Sequence, residues 1–118
     1  MLVDDDEAFL NSLSEGLDDP SGGMKVYAAG NGRQALEVLR SRQDIELLVT
    51  DLRMPEMDGF ELLASVKKDF PATRAIATTA CVTPEVEEQL EALGVRWIEK
   101  GAGLVELRRT IMRELGRR

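Results

Sequence analysis

Two hydrophobic periodicities alternate along this chain, five times each, and that alternation constrains the fold more than any single motif. Short apolar runs suited to strands occur at Met1-Leu2-Val3, Lys25-Val26-Tyr27-Ala28-Ala29, residues 45–50, residues 75–79 and Val95-Arg96-Trp97-Ile98-Glu99. Each is followed by apolar residues at helical spacing. These are Phe9, Leu10, Leu13 and Leu17; then Ala35, Leu36 and Leu39; then Phe60, Leu63, Val66 and Phe70. Val86, Leu90 and Leu93 mark the fourth stripe, and Leu104, Leu107, Ile111 and Leu115 the last. Helix starts carry their own chemistry. Asn31 with Gln34 and Asp58 with Glu61 have the spacing of capping pairs, and Thr83 precedes Pro84 as a cap precedes a first-turn proline. Residues 18–23 break the first helix and residues 54–57 read as loop.

Apolar strands alternating with amphipathic helices imply a parallel sheet covered on both faces. Right-handed crossovers leave few ways to connect five such units. The expectation is an α/β fold, a flavodoxin-like (βα)5 doubly wound sheet of five parallel strands in the order 2-1-3-4-5. The 118 residues suit one domain, 1–118, with 43% hydrophobic and 31% charged residues. A single cysteine, Cys81, excludes an internal disulfide, and the absence of histidine excludes a Cys/His zinc site. No stretch is long and apolar enough to span a membrane, so the reading is cytoplasmic with no membrane insertion.

The net charge is −7, from 15 basic and 22 acidic residues. Residues 102–118 run against that balance, with five arginines and two glutamates. The remaining body is acidic enough to repel a phosphate backbone, which argues against direct nucleic-acid binding. The basic tail reads either as a partner surface or as cations complementing a helix C-terminus.

In a doubly wound sheet, ligands bind beyond the carboxyl ends of the strands. Asp4, Asp5 and Asp6 follow the first strand and Asp51 ends the third; the fourth ends at Thr79 and Lys100 follows the fifth. Clustered carboxylates need neutralising, and an oxygen-only set suits a hard cation such as Mg²⁺. Lys100 as a point charge and Thr79 as a hydroxyl donor supply what else a phosphoryl group requires. Asp51, at the end of the most buried strand, is the carboxylate best placed to accept it. Each residue also has a plain structural reading: acidic residues after a strand cap helices, and a lone aspartate before a loop forms turns. The chemical reading rests on four strand ends agreeing.

Those residues resemble the response-regulator receiver domain of two-component signalling. The resemblance is carried by Val3-Asp4-Asp5-Asp6-Glu7, residues 50–59 with Asp51, Met54-Pro55 and Asp58-Gly59, Thr79-Ala80, Lys100, and residues 29–36 at the second helix. It implies that Asp51 is the phosphoacceptor. It further implies that Asp5, Asp51 and the backbone carbonyl of Arg53 bind Mg²⁺, with Asp4 assisting through water. Thr79 and Lys100 are then the partners of the phosphoryl oxygens. Trp97 matches the family's aromatic switch position, against the simpler reading of packing at a strand edge. The implied function is a phosphoryl-accepting switch supplied by a sensor histidine kinase or phosphotransfer protein. It acts on an output domain or protein through the face of the fourth helix, fifth strand and fifth helix. It is no enzyme beyond its own phosphotransfer and dephosphorylation, and the domain reads either as one excised from a longer protein or as a stand-alone receiver.

The sequence departs from the family in its fifth unit. Gly101 stands where proline follows the lysine, so a trans bond is expected there. The interval from Gly94 to Lys100 is one residue shorter than the family pattern. These departures favour an alternative, a phosphorylation-independent pseudo-receiver that serves as a protein-interaction module. A third reading, an aspartyl-phosphate phosphatase of the haloacid-dehalogenase type, finds its spacing in Asp4 and Asp6. It lacks room for a cap region. Arg53 and Cys81, two residues beyond Asp51 and Thr79, sit where receivers tune dephosphorylation. Arg53 is read as a shield over the acyl phosphate and Cys81 as a small packing residue.

Overall fold

The computed structural model describes residues 1–17, 25–42, 44–53, 58–80 and 82–116. The breaks read at 18–23 and 54–57, Cys81 and the last two arginines fall outside those residues.

Five strands, β1 (Leu2–Val3), β2 (Ala28–Ala29), β3 (Leu47–Asp51), β4 (Arg74–Thr79) and β5 (Arg96–Glu99), alternate with five helices. The helices are α1 (Glu7–Leu17), α2 (Gly32–Ser41), α3 (Gly59–Asp69), α4 (Pro84–Leu93) and α5 (Leu104–Glu114). A 3₁₀ turn, Lys100–Ala102, joins β5 to α5. All pairings are parallel and the sheet order is β2-β1-β3-β4-β5, as the alternation implied.

The period-two alternation of the strands sorts the core into two layers. Leu2, Leu47, Val49, Ile76 and Ile98 pack with Leu10, Leu13 and Leu17 of α1 and Leu107 and Ile111 of α5. Val3, Ala29, Leu48 and Ala77 face the other way, onto Leu36 and Leu39 of α2, Leu62, Leu63 and Val66 of α3 and Leu90 of α4. Every residue of β3 is buried, which makes it the central strand that its apolar run suggested.

The helix starts follow their sequence signals. Asn31, Asp58 and Thr83 each accept a hydrogen bond from the backbone N–H three residues on, at Gln34, Glu61 and Val86. Gln34 Oε1 in turn accepts from the Gly30 N–H at 2.9 Å, a variant of the reciprocal capping pair. Gly94 ends α4 in the left-handed conformation, with φ of 68°, where a side chain is disfavoured.

The second strand is shorter than its apolar run. The register of β1 pairs Leu2 and Val3 with Ala28 and Ala29, and Tyr27 just before them is bonded through its carbonyl, which accepts the Leu2 N–H at 2.7 Å. The third strand begins at Leu47 rather than residue 45, where β4 begins to pair with it at Arg74.

Candidate functional site

The carboxyl ends of β1, β3 and β5 bring three of the expected residues into direct contact. Asp4 follows β1 and is almost fully buried, at 2% exposure. Its Oδ1 accepts the Asp6 N–H at 2.9 Å, and its Oδ2 lies 2.8 Å from Lys100 Nζ. That second contact is an ion pair off the hydrogen-bonding direction, so Asp4 Oδ2 keeps acceptor capacity that no neighbour uses. Asp51 ends β3, also buried, with Oδ1 accepting the Leu52 N–H at 2.9 Å and Oδ2 at 3.3 Å from the same ammonium. One lysine thus bridges two buried carboxylates.

Burial pushes the Asp4 carboxyl above its usual range. The Lys100 ammonium and the Asp6 N–H oppose that rise, and the charge of Asp51 adds to it. Burial works to lower the pKa of Lys100, but its close contact with Asp4 and the charges of Asp51 and Asp4 outweigh it, and the value rises. The ammonium is therefore held charged between its partners.

Asp5 is exposed, and its carboxylate joins those of Asp4 and Asp51 with oxygens within 4.8 Å of one another. Three carboxylates against one ammonium leave two negative charges unbalanced. An all-oxygen cluster with that deficit, and with a buried acceptor unused on Asp4, fits a hard divalent cation such as Mg²⁺. Asp6 does something else. Its Oδ1 accepts the Phe9 N–H at 3.1 Å and its carbonyl the Leu10 N–H, so it starts α1. Of the acidic run after β1, two members turn to the cluster and one caps the helix. That arrangement gives Asp6 no place as a second catalytic aspartate beside Asp4.

Thr79 is buried at the end of β4, one residue beyond Thr78, the register partner of Asp51. Arg53 is exposed, two residues past Asp51. Trp97 is half-buried on β5 and packs against the core layer that includes Ala77 and Leu90. There is no cis peptide bond among the described residues, so Lys100 and Gly101 are joined in trans, as the sequence led us to expect.

Two residues of the site were read in the sequence only as framework. Gly59, quoted for its motif, places its N–H 2.9 Å from the carbonyl of Leu52, so the first turn of α3 lies directly on the end of β3. Phe9, read as part of a core stripe, has its ring centroid 4.8 Å from Lys100 Nζ. The aspartate cap at residue 58 hinted that α3 starts close to the strand, whereas nothing local to Phe9 signalled its neighbour.

Comparison with known proteins gives the family and the fold. The response regulator receiver domain family matches residues 1–112. The transcriptional regulatory protein GlrR of Escherichia coli (strain K12) is 42% identical over 80 residues, 68% of this chain and 17% of that protein. A response regulator receiver protein of Anaeromyxobacter sp. (strain Fw109-5) is 36% identical over 95 residues, 80% of this chain and 39% of that one. The chain therefore spans well under half the length of either relative. A CheY-like receiver domain protein from Methanospirillum hungatei JF-1 superposes with a TM-score of 0.88 at 27% identity, covering 98% of this chain and 90% of its own. The receiver domain of an HD domain-containing protein from Pseudomonas fluorescens Pf-5 gives 0.87 at 26% identity, with 98% and 91% covered.

Proposed function

The chain belongs to the response regulator receiver family, and we propose that it works there as a phosphoryl-accepting switch with Asp51 as the acceptor. The observation that carries this reading is the shared lysine: Lys100 Nζ stands 3.3 Å from Asp51 Oδ2 and 2.8 Å from Asp4 Oδ2. The acceptor oxygen is thereby held beside the cation that a transferred phosphoryl group needs. The donor is a phosphohistidine of a sensor histidine kinase or phosphotransfer protein. An Asp51 carboxylate oxygen attacks phosphorus, a P–O bond forms, the P–N bond breaks, and the imidazole nitrogen leaves with the electron pair.

Asp5, Asp51 and the backbone carbonyl of Arg53 would hold Mg²⁺, with Asp4 assisting through water. When bound, the cation neutralises charge on the phosphoryl oxygens. Lys100 pairs with one of those oxygens and the Thr79 hydroxyl donates to another. Both residues then bias the surface built from α4, β5 and α5, with Trp97 beneath it, toward a second arrangement that an output domain or protein reads. The domain's only catalysis is of its own phosphorylation and dephosphorylation. No helix among the described residues is long and apolar enough to cross a membrane, which accords with action in the cytoplasm.

The alternative, a phosphorylation-independent interaction module, draws on the β5–α5 loop, where Gly101 replaces the family's proline. A beryllofluoride titration with Mg²⁺, followed through Trp97 emission, separates the two. The switch requires a saturable change that Asp51→Asn removes. A folded protein whose emission never responds belongs to the alternative.

A further inference from the structure

We propose that Phe9 is a positioning residue for Lys100: its ring anchors the ammonium by a cation–π contact that neither a metal ion nor a phosphoryl group competes for. The proposal rests on the switch reading above and deepens it. Lysine has four side-chain torsions and a mobile head, and here it leaves the start of a loop rich in glycine. Around Gly101 the space is open: beyond its two chain neighbours, no atom among the described residues lies within 4 Å of where a Cβ would stand, so none of them braces the loop at that point.

The ammonium has three contacts among the described residues: Asp4 Oδ2 at 2.8 Å, Asp51 Oδ2 at 3.3 Å and the Phe9 ring at 4.8 Å. Both carboxylates belong to the cluster that fits a divalent cation, and Asp51 is the acceptor. When their oxygens turn to those roles they give up part of their hold on the lysine. The ring does not. Phe9 is fixed from below, since its own N–H is tied to Asp6 and its side chain packs against the α1–α5 core layer. Beside ring and lysine lies a mostly apolar cavity of about 250 Å³, walled by Leu13, Ile98, Leu104 and Leu107. Apolar surroundings strengthen the attraction between a cation and a ring face. This is a duty the chain assigns to α1, where braced loop geometry is missing at Gly101.

The test pairs a geometric readout with a chemical one. Proton NMR of the Lys100 ε-methylene reads the contact directly, as an upfield ring-current shift that Phe9→Leu abolishes and Phe9→Trp retains. Uptake of phosphoryl from acetyl phosphate with Mg²⁺, timed by intact mass, reads the role. Phe9→Leu, which keeps apolar bulk, should slow uptake about two- to tenfold, the size of one cation–π contact. Phe9→Trp should stay near wild type, and Phe9→Leu should have no further effect in a Lys100→Met background. An absent ring-current shift, an unchanged rate, or an equal loss in both backgrounds would overturn the proposal. A wild-type protein that takes up no phosphoryl group and stays silent to beryllofluoride overturns the switch reading and the role built on it, while the NMR shift still decides the contact.

Discussion

A methyl group at Gly59 would stand 2.3 Å from the carbonyl oxygen of Asp51 and 2.6 Å from the Cα of Leu52. The first turn of α3 is pressed onto the backbone of Asp51 and Leu52, and only a residue without a side chain allows it. Gly59→Ala must therefore push α3 and the end of β3 apart. We expect a loss of about 1–3 kcal/mol in denaturant unfolding, the usual cost of overpacking, together with slower labelling of Asp51. An alanine variant as stable as wild type would mean the strand end yields without strain.

Asp5 is the exposed member of the carboxylate cluster, while Asp4 and Asp51 are buried and share the lysine. Asp5→Asn removes one charge from a repelling set, so the metal-free protein should be unchanged or gain up to about 1 kcal/mol. Its stabilisation by Mg²⁺ should nearly vanish, because binding to the folded state alone is what raises stability. Thermal melts across a Mg²⁺ series check both. An Asp5→Asn variant that Mg²⁺ stabilises as fully as wild type would remove Asp5 from the metal site.

The two loop glycines on either side of Ala102 should respond oppositely to alanine. Gly101 has room for a Cβ and no positive φ, so Gly101→Ala should stabilise by about 0.4–1 kcal/mol through the unfolded chain. Gly103, with φ of 92°, starts α5 in a conformation that side chains avoid, and Gly103→Ala should cost about 1 kcal/mol or more. Paired urea titrations read the difference. Equal effects would contradict the loop geometry described here.

Arg53 is exposed, two residues beyond Asp51. If its side chain shields the acyl phosphate from water, Arg53→Ala shortens the phosphoryl lifetime while leaving uptake intact. The decay of the phosphorylated mass after removal of acetyl phosphate measures this, and an unchanged half-life would dismiss the shield.

These relationships differ in how far the sequence announced them. Caps are local, so Asn31, Asp58 and Thr83 could be read from spacing alone, and each does close its helix. The convergence of Asp4, Asp51 and Lys100 was legible because a parallel doubly wound sheet sends every strand end to one side. The length of β2 was not, since pairing depends on its partner: residues 25–27 have strand character, but the register of β1 falls on Ala28 and Ala29, with Tyr27 joined through its carbonyl to the Leu2 N–H. Phe9 was hidden for a similar reason. On α1 it follows the spacing of the core, and the lysine it faces lies more than ninety residues away in the chain. Gly59 was visible as a motif letter, but its necessity follows only from the distance to Asp51.

The central claim is that Asp51 accepts a phosphoryl group. Intact mass after incubation with acetyl phosphate, with and without Mg²⁺, tests it on wild type and Asp51→Ala together. The account requires a gain of about 80 Da that depends on Mg²⁺ and is absent from the variant. An adduct that persists in Asp51→Ala, or a folded wild type that gains no mass and is also silent to beryllofluoride, would contradict it.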